Sequence, residues 1–354
     1  MERKNISETH ENFSFDQAET YLKALFPRVS RTFALTVPEL PVPLRGVVMN
    51  AYLLARALDT IEDDDALTLE QKFDFGKRFV EIVSTNENAE EFAMELTPLL
   101  SLHTHEAERE LMHNLALVIG IKQTFNDVQQ QAIERCIRIM WDGMQKFLKR
   151  RSLNGLETLD EMNDYCYHAA GVVGEMLTDL FCDYSDEIAK HNAAMKKLAI
   201  SFGRGLQTVN ILYDHWEDRK DGICWLPRDI YGSELKDLKP ENYNEGYKNA
   251  QKELISITHK NLREALQYTL LIPDSEAGIR RFCYWTISLS VFALHRIHNR
   301  PNFTANAEIK IPRNWVLAMI MITRTFGVKD KVLTGIFNLN SHKLPLLHHP
   351  LDKK

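Results

Sequence analysis

Residues 205–227 read GLQTVNILYDHWEDRKDGICWLP, and their core, QTVNILYDHWED, decides the fold. That core holds no Gly or Pro, and Val209, Ile211 and Leu212 sit among polar residues, the composition of an amphipathic helix. On a helix Asp214, Glu217 and Asp218 stand at i, i+3 and i+4, so their side chains share one face. Asn210 and Gln207 place two amides one turn and two turns above the acids. Gathering carboxylates in this way costs a few tenths of a kcal/mol per like-charge pair unless a cation relieves the repulsion. Taken alone, the cluster admits a solvated acidic face as readily as a ligand site.

A second cluster repeats the pattern upstream. VVMNAYLLARALDTIEDD is apolar on most faces, as a helix buried in a bundle reads, and it ends in Asp59, Glu62 and Asp63 at the same i, i+3, i+4 spacing. Two such triads on mostly apolar helices, facing each other across a core, would repel unless hard divalent cations lay between them. Oxygen-only ligands suit Mg²⁺, with Mn²⁺ as a substitute, since Mg²⁺ binds through one or two carboxylates and keeps positions for phosphate oxygens. An apolar interior with Mg²⁺ at its mouth fits a ligand with a diphosphate head and a long hydrocarbon tail.

The remaining chain reads as helices throughout. Residues 1–29 form a polar lead-in with a short helix from Phe15 to Phe26, ending before Pro27. Pro38, Pro41 and Pro43 forbid a regular helix until about Leu44. Two or three amphipathic helices fill residues 67–150, broken around STNENAE and LSLHTHE. Leu159 to Phe181 reads as one apolar helix with a small patch at Ala169, Ala170, Gly171 and Gly174. Each Gly costs a helix about 0.5–1 kcal/mol against Ala, so the patch signals either a ligand approaching the backbone or tight helix packing. WLPRDIYG reads as a loop, followed by helices at 244–270, 274–298 and 314–325. No strand pattern and no repeat emerges. The expected architecture is all-α, a single-domain helical bundle with a central apolar cavity over residues 30–326 and a C-terminal tail at 327–354.

Composition bounds what the chain can do. It has 354 residues, 44% hydrophobic and 26% charged, with a mean hydropathy of −0.30, the profile of a globular protein. A net charge of −6 argues against nucleic acid as a partner, which needs a basic surface. Cys136, Cys166, Cys182, Cys224 and Cys283 are scattered without a CxxC pair, so neither a disulfide framework nor a zinc site is expected, and a cytoplasmic location fits. The polar N-terminus lacks a signal peptide. The longest apolar run near the C-terminus, WVLAMIMI at 315–322, is far short of the roughly 20 residues that span a bilayer. Membrane contact is therefore expected to be at most peripheral.

SRTF at 30–33, YLLARALDTIEDD at 52–64, DYCYHAAGVVG at 164–174 and LQTVNILYDHWED at 206–218 resemble the squalene/phytoene synthase family, in the family's order and spacing, over about Ser30 to Phe326. RALDTIEDD, the Phe282-Cys283 pair and IKI at 309–311 are most similar to the squalene-forming branch. The resemblance implies that two farnesyl diphosphates condense head to head through presqualene diphosphate, with NADPH then reducing the product to squalene. A branch that stops at presqualene diphosphate, dehydrosqualene or phytoene without reduction is the alternative, and a non-catalytic relative is disfavoured by the six intact acids. By similarity Asp59, Glu62, Asp63, Asp214, Glu217 and Asp218 hold Mg²⁺. Ser30, Arg31, Phe33, Gln207, Asn210 and Phe282 contact substrate, while Tyr165, Arg56 and Tyr52 are the catalytic candidates. Arg31, Arg56, Lys310 and Arg313 are the candidate contacts to phosphate and NADPH. Read singly, Tyr165 is a packing tyrosine, Arg56 an ordinary helix partner of Asp59 and Phe282 core; their joint placement points to the site.

Three positions depart from the family pattern. Tyr213 stands where many members carry an Arg before the second Asp, Ile223 where an Arg follows Gly222, and Pro312 where an Arg follows Lys310 and Ile311. A guanidinium grips phosphate in bidentate fashion and a phenol does not. Arg219, Lys220 and Arg228 are the nearby cations that could compensate.

Overall fold

The computed structural model describes residues 15–30, 32–232, 235–239 and 243–346, with side chains from Thr20 onward. Helices dominate, and among the described residues the one strand-like pairing is a single bridge between Leu156 and Pro227. The all-α expectation therefore holds. The chain divides into two compact units, residues 1–148 with 179–189, and residues 149–178 with 190–354. Arg31 and residues 1–14 of the expected lead-in lie outside the described residues.

In the first unit the helix Val42–Asp63 carries the first acid cluster. It starts two residues earlier than expected, because Pro43 sits in its first turn, where a missing N–H costs nothing. Leu53, Leu54, Ala57, Leu58 and Ile61 are fully buried, each leucine contributing about 1.5–3 kcal/mol relative to exposure, and the acids occupy the helix's other face. The helix Phe15–Val29 runs on through Pro27 rather than stopping before it, since only the last turn loses a donor. Residues 67–150 hold five helices instead of two or three: Leu69–Thr85, Ala89–Leu96, Glu106–His113, Leu115–Lys122 and Asp127–Leu148. Eight-residue helices are too short to show a clear period. Asn86 and Asn88 break the first of these junctions with φ of 62° and 61°, which Asn tolerates better than most residues. The Lys122 ammonium is buried, donating to the Val83 carbonyl at 2.6 Å and pairing with Glu134.

In the second unit the helix Asn192–Lys220 carries the second acid cluster and packs against Glu245–Leu271 and Ala277–Asn299. Leu159–Phe181 is not one regular helix. A π-helical turn, Tyr167–Gly171, separates Leu159–Cys166 from Val172–Tyr184. Arg228–Tyr231, expected as loop, makes one helical turn, and Asp330–Ser341 forms a helix inside the expected tail. Among the described residues no helix is long and apolar enough to cross a membrane.

The small-residue patch resolves in favour of helix packing. A Cβ on Gly203 would lie 2.3 Å from the Ala170 carbonyl oxygen and 2.5 Å from the Gly171 nitrogen, and one on Gly174 would lie 2.6 Å from the Ala199 oxygen. The backbones of the π turn and the acid-bearing helix touch, so the patch sets the height of the second acid motif. Gly203→Ala is expected to destabilise the fold by about 1–3 kcal/mol through overpacking, read as a lower thermal midpoint; an unchanged midpoint would show that the crossing has room to spare.

Candidate functional site

The first acid motif is built around Arg56. Its Nη1 lies 3.8 Å from Asp59 Oδ2 and 3.8 Å from Glu108 Oε1, and its Nη2 donates to the Tyr52 hydroxyl at 3.3 Å. Tyr52 in turn donates to the Val29 carbonyl at 3.1 Å, and its ring sits edge-on to Phe26 and tilted against Phe33. Ser30 Oγ accepts from the Phe33 backbone N–H at 3.1 Å, which fixes the turn carrying SRTF and leaves the hydroxyl proton for another acceptor. Ser30, Phe33, Tyr52, Arg56 and Asp59 are thus linked in one network. Glu108 was not foreseen: it lies on the separate helix Glu106–His113, and nothing in HEAERE marks it out from a solvated helix start.

Burial pushes the Asp59 carboxyl up to about 7; the Arg56 charge offsets part of that rise, and Asp63 and Glu108 add to it. Burial alone would lower the Arg56 guanidinium's pKa, but Asp59, Tyr52 and Glu108 outweigh it and keep the group charged. Arg56 thus faces two carboxylates, Asp59 and Glu108, at 3.8 Å each. Asp64, the next acid, plays a different part: buried, it accepts from the Ser101 and Ala66 backbone N–H groups and from Thr104 Oγ1. Lys72 Nζ donates to the Glu62 carbonyl at 2.6 Å and closes the C-terminal end of the acid helix.

The second motif sits on the helix Asn192–Lys220. Gln207 and Asn210 meet on its surface, the Asn210 amide donating to Gln207 Oε1 at 3.5 Å. Asp214 accepts from Asn306 Nδ2 at 2.7 Å; burial raises its pKa, the Asn306 bond lowers it and Glu217 raises it again. Glu217 pairs with Lys220 at 2.6 Å. His215 points the other way, buried between the Leu212 carbonyl and the Tyr247 hydroxyl, and burial lowers its pKa to about 4, so it is a neutral structural histidine.

The cations that could compensate already have partners. Arg219 donates to the Lys236 and Leu238 carbonyls at 3.1 and 3.0 Å, Lys220 is paired with Glu217, and Arg228 lies 3.5 Å from Glu157. Tyr213 does not act as a phosphate cation either; its hydroxyl donates to the Asn306 carbonyl at 3.3 Å. Tyr165 stacks on Trp225 at a centroid distance of 4.1 Å with the rings 9° apart. Phe282 is buried in the helix Ala277–Asn299, while Lys310 and Arg313 are exposed at the start of Arg313–Thr325.

Among the described residues no three carboxylate, imidazole or thiolate groups close into a metal cage. The donors are all hard oxygens, and around Arg56 the carboxylates of Asp59 and Glu108 outnumber the one guanidinium, so the residues present fit Mg²⁺.

Residues 26–315 match the squalene/phytoene synthase family. A squalene synthase of Cyberlindnera jadinii is 28% identical over 333 residues, covering 91% of this chain and 70% of the relative. A squalene synthase of Candida albicans is 27% identical over 327 residues, covering 89% and 69%. Among solved structures, a ligand complex of TcSQS superposes with a TM-score of 0.75 at 21% identity over 93% of this chain and 91% of that one, which shows a shared fold.

Two outcomes follow for Asp59. Because its folded-state pKa of about 7 exceeds the ordinary 3.8, the folded state binds more protons between those values, and this group's contribution to metal-free stability falls as pH rises from about 4 to about 7. Asp59→Asn is expected to flatten that dependence and raise metal-free stability at neutral pH by on the order of 1 kcal/mol, allowing for the third of the side chain that is solvent-exposed. A destabilised variant would contradict this. In the unchanged protein, Mg²⁺ binding is expected to release protons near pH 7 and weaken at lower pH. Calorimetry in two buffers of different ionisation enthalpy reads it, and identical heats would contradict it.

Proposed function

The chain belongs to the squalene/phytoene synthase family, the head-to-head prenyltransferases, and from that membership we propose that it acts as a squalene synthase on two molecules of farnesyl diphosphate. The observation that carries the reading is the half-buried Asp59 carboxylate, which shares the Arg56 guanidinium with Glu108 at 3.8 Å each and has Asp63 beside it. Such a cluster is costly to keep and suits a divalent cation on a diphosphate.

In this reading Asp59, Glu62, Asp63, Asp214, Glu217 and Asp218 hold Mg²⁺, which when bound supplies charge neutralisation for a leaving diphosphate. Arg56, kept charged by its neighbours, and Ser30, with its hydroxyl proton uncommitted by the Phe33 contact, bind diphosphate oxygens. Arg31 belongs to the same group by family resemblance, and Gln207 and Asn210 line the second motif. One farnesyl diphosphate loses diphosphate, and the C2–C3 double bond of the other captures the allylic cation. Loss of a proton closes the cyclopropane of presqualene diphosphate. Tyr165, held face to face with Trp225, is the candidate to stabilise the cation or take that proton, and the ring faces of Tyr52 and Phe282 suit the same task. The chemistry requires a site that excludes water, so that the cation is not hydrolysed.

In the second half-reaction presqualene diphosphate would ionise and its cyclopropylcarbinyl cation rearrange, and NADPH, when bound, would supply the hydride that quenches it. No GxGxxG strand–turn–helix is present among the described residues, so the coenzyme would be held by side chains. The exposed Lys310 and Arg313 are suited to its phosphates. A reading without reduction, ending at presqualene diphosphate or dehydrosqualene, is favoured by one observation: Tyr213, Ile223 and Pro312 stand where the family pattern has arginines, and Arg219, Lys220 and Arg228 already have partners. Incubation with farnesyl diphosphate and Mg²⁺, with and without NADPH, separates these by mass spectrometry. Squalene is expected with NADPH and presqualene diphosphate without it. Dehydrosqualene or presqualene diphosphate under both conditions would select the second reading, and no C30 product would overturn both. Asp59→Ala and Asp214→Ala are each expected to abolish turnover with the helical circular dichroism retained.

Peripheral contact with a membrane belongs to the same proposal. The segment 309–329 contains four basic residues and no acid in a chain of net charge −6. On its helix Leu317 and Met321 are exposed at 58% and 67%, with Phe326 at 67% just beyond. An apolar stripe flanked by cations suits an anionic bilayer surface. The protein is expected to sediment with vesicles containing anionic lipid and not with neutral ones, and Leu317→Glu with Met321→Glu is expected to release it; equal sedimentation of the double variant would exclude this face.

A further inference from the structure

Asn306 lies outside every motif read from the sequence, yet two consecutive residues of the second acid motif hold it. Its amide nitrogen donates to Asp214 Oδ1 at 2.7 Å, and its carbonyl accepts from the Tyr213 hydroxyl at 3.3 Å. The amide orientation is set by chemistry, because a flipped side chain would press oxygen against a carboxylate. Asn306 opens a 3₁₀ turn, Asn306–Glu308, whose other end is equally well fixed. Arg296 donates to the Glu308 carbonyl at 3.0 Å, Arg300 pairs with the Glu308 carboxylate at 2.5 Å, and Thr304 donates to that carboxylate from its backbone and its hydroxyl, each at 3.0 Å. Ile309 is fully buried, and Lys310 follows at the surface. Residues 304–309 thus form a short, stiff strut from Asp214 to the Lys310–Arg313 segment.

One polar atom in this strut has no partner: Asn306 Oδ1 is buried and unsatisfied among the described residues. A buried acceptor left alone costs about 1–3 kcal/mol, and this one stands beside the carboxylate of a candidate metal ligand. A water molecule carried by a bound cation would donate to it, since waters on a divalent cation are strong donors. Hydrogen bonds to a ligating carboxylate orient it and raise its value as a ligand.

We propose that Asn306 is a positioning residue of the second acid motif, orienting Asp214 for metal–diphosphate binding, and that Tyr213 anchors it so that the Lys310 segment is carried in fixed register with that motif. Tyr213 then has a role of its own: where the family pattern has a phosphate-gripping Arg, this chain has a backbone anchor. The inference rests on the squalene synthase reading above for the identity of what binds.

The test uses the full chain and inorganic diphosphate with Mg²⁺, followed by calorimetry. Asn306→Ala is expected to weaken Mg²⁺–diphosphate binding by about 10- to 100-fold, the range usual for removing such an outer partner, with presqualene diphosphate formation recovering at high Mg²⁺. Tyr213→Phe removes one hydroxyl and keeps the test decisive should Asn306→Ala fail to fold. It is expected to weaken Mg²⁺–diphosphate binding several-fold, less than Asn306→Ala, because it loosens the turn that holds the Asn306 amide against Asp214. Mg²⁺–diphosphate binding left intact by Asn306→Ala, or by Tyr213→Phe, would overturn the inference with the functional reading still standing. Wild-type protein that binds no Mg²⁺–diphosphate would overturn both.

Discussion

Carboxylates placed three and four residues apart on one helix face repel each other, and the arrangement of this protein follows from keeping two such groups in place. The first acid helix presents Leu54, Leu58 and Ile61 to the core on one side and Asp59, Glu62 and Asp63 on the other. Apolar burial on the first side, at about 1.5–3 kcal/mol per large side chain, far exceeds the few tenths lost per like-charge pair on the second. The fold can therefore hold the acids close, and Lys72 and Asp64 fix the helix end so that they cannot fray apart. Burial, more than the charges of Asp63 and Glu108, raises the Asp59 carboxyl to about 7.

The second motif meets the same problem with different means. The contact of Gly203 with the π turn sets how closely the acid helix approaches its neighbour. Burial keeps His215 neutral behind the acids, and the Asn306 amide gives Asp214 a donor in place of a charge. One motif thus uses a shared guanidinium and the other a shared amide. The amide leaves Asp214 with more net negative charge for a metal ion than a guanidinium there would.

Much of this was legible in the sequence because helical periodicity and acid spacing are local properties. QTVNILYDHWED and DTIEDD give both acid faces directly, and the Arg56–Asp59 pairing follows from i, i+3 geometry. The family resemblance extended that reading to Tyr52 and Ser30, which the structure joins to Arg56 and Phe33 through the Val29–Tyr52 contact and the SRTF turn. What escaped were partners brought in from distant sequence: Glu108 beside Arg56, and Asn306 beside Asp214. Neither residue type nor spacing distinguishes them from solvated surface residues. The small patch at Ala170, Gly171 and Gly174 shows the converse limit. Its composition announces a close approach but not what approaches, and the answer, a backbone crossing at Gly203 and Ala199, depends on tertiary packing.

The central claim is that both acid motifs take divalent metal on a diphosphate. A crystal structure of the protein soaked with Mn²⁺ and a non-ionising farnesyl diphosphate analogue tests it most directly, because Mn²⁺ is located by its anomalous scattering. The account expects Mn²⁺ in contact with Asp59 or Asp63 and with Asp214 or Asp218, and diphosphate oxygens completing the coordination. Diphosphate bound with no metal at either motif, or metal at one motif alone, would contradict it.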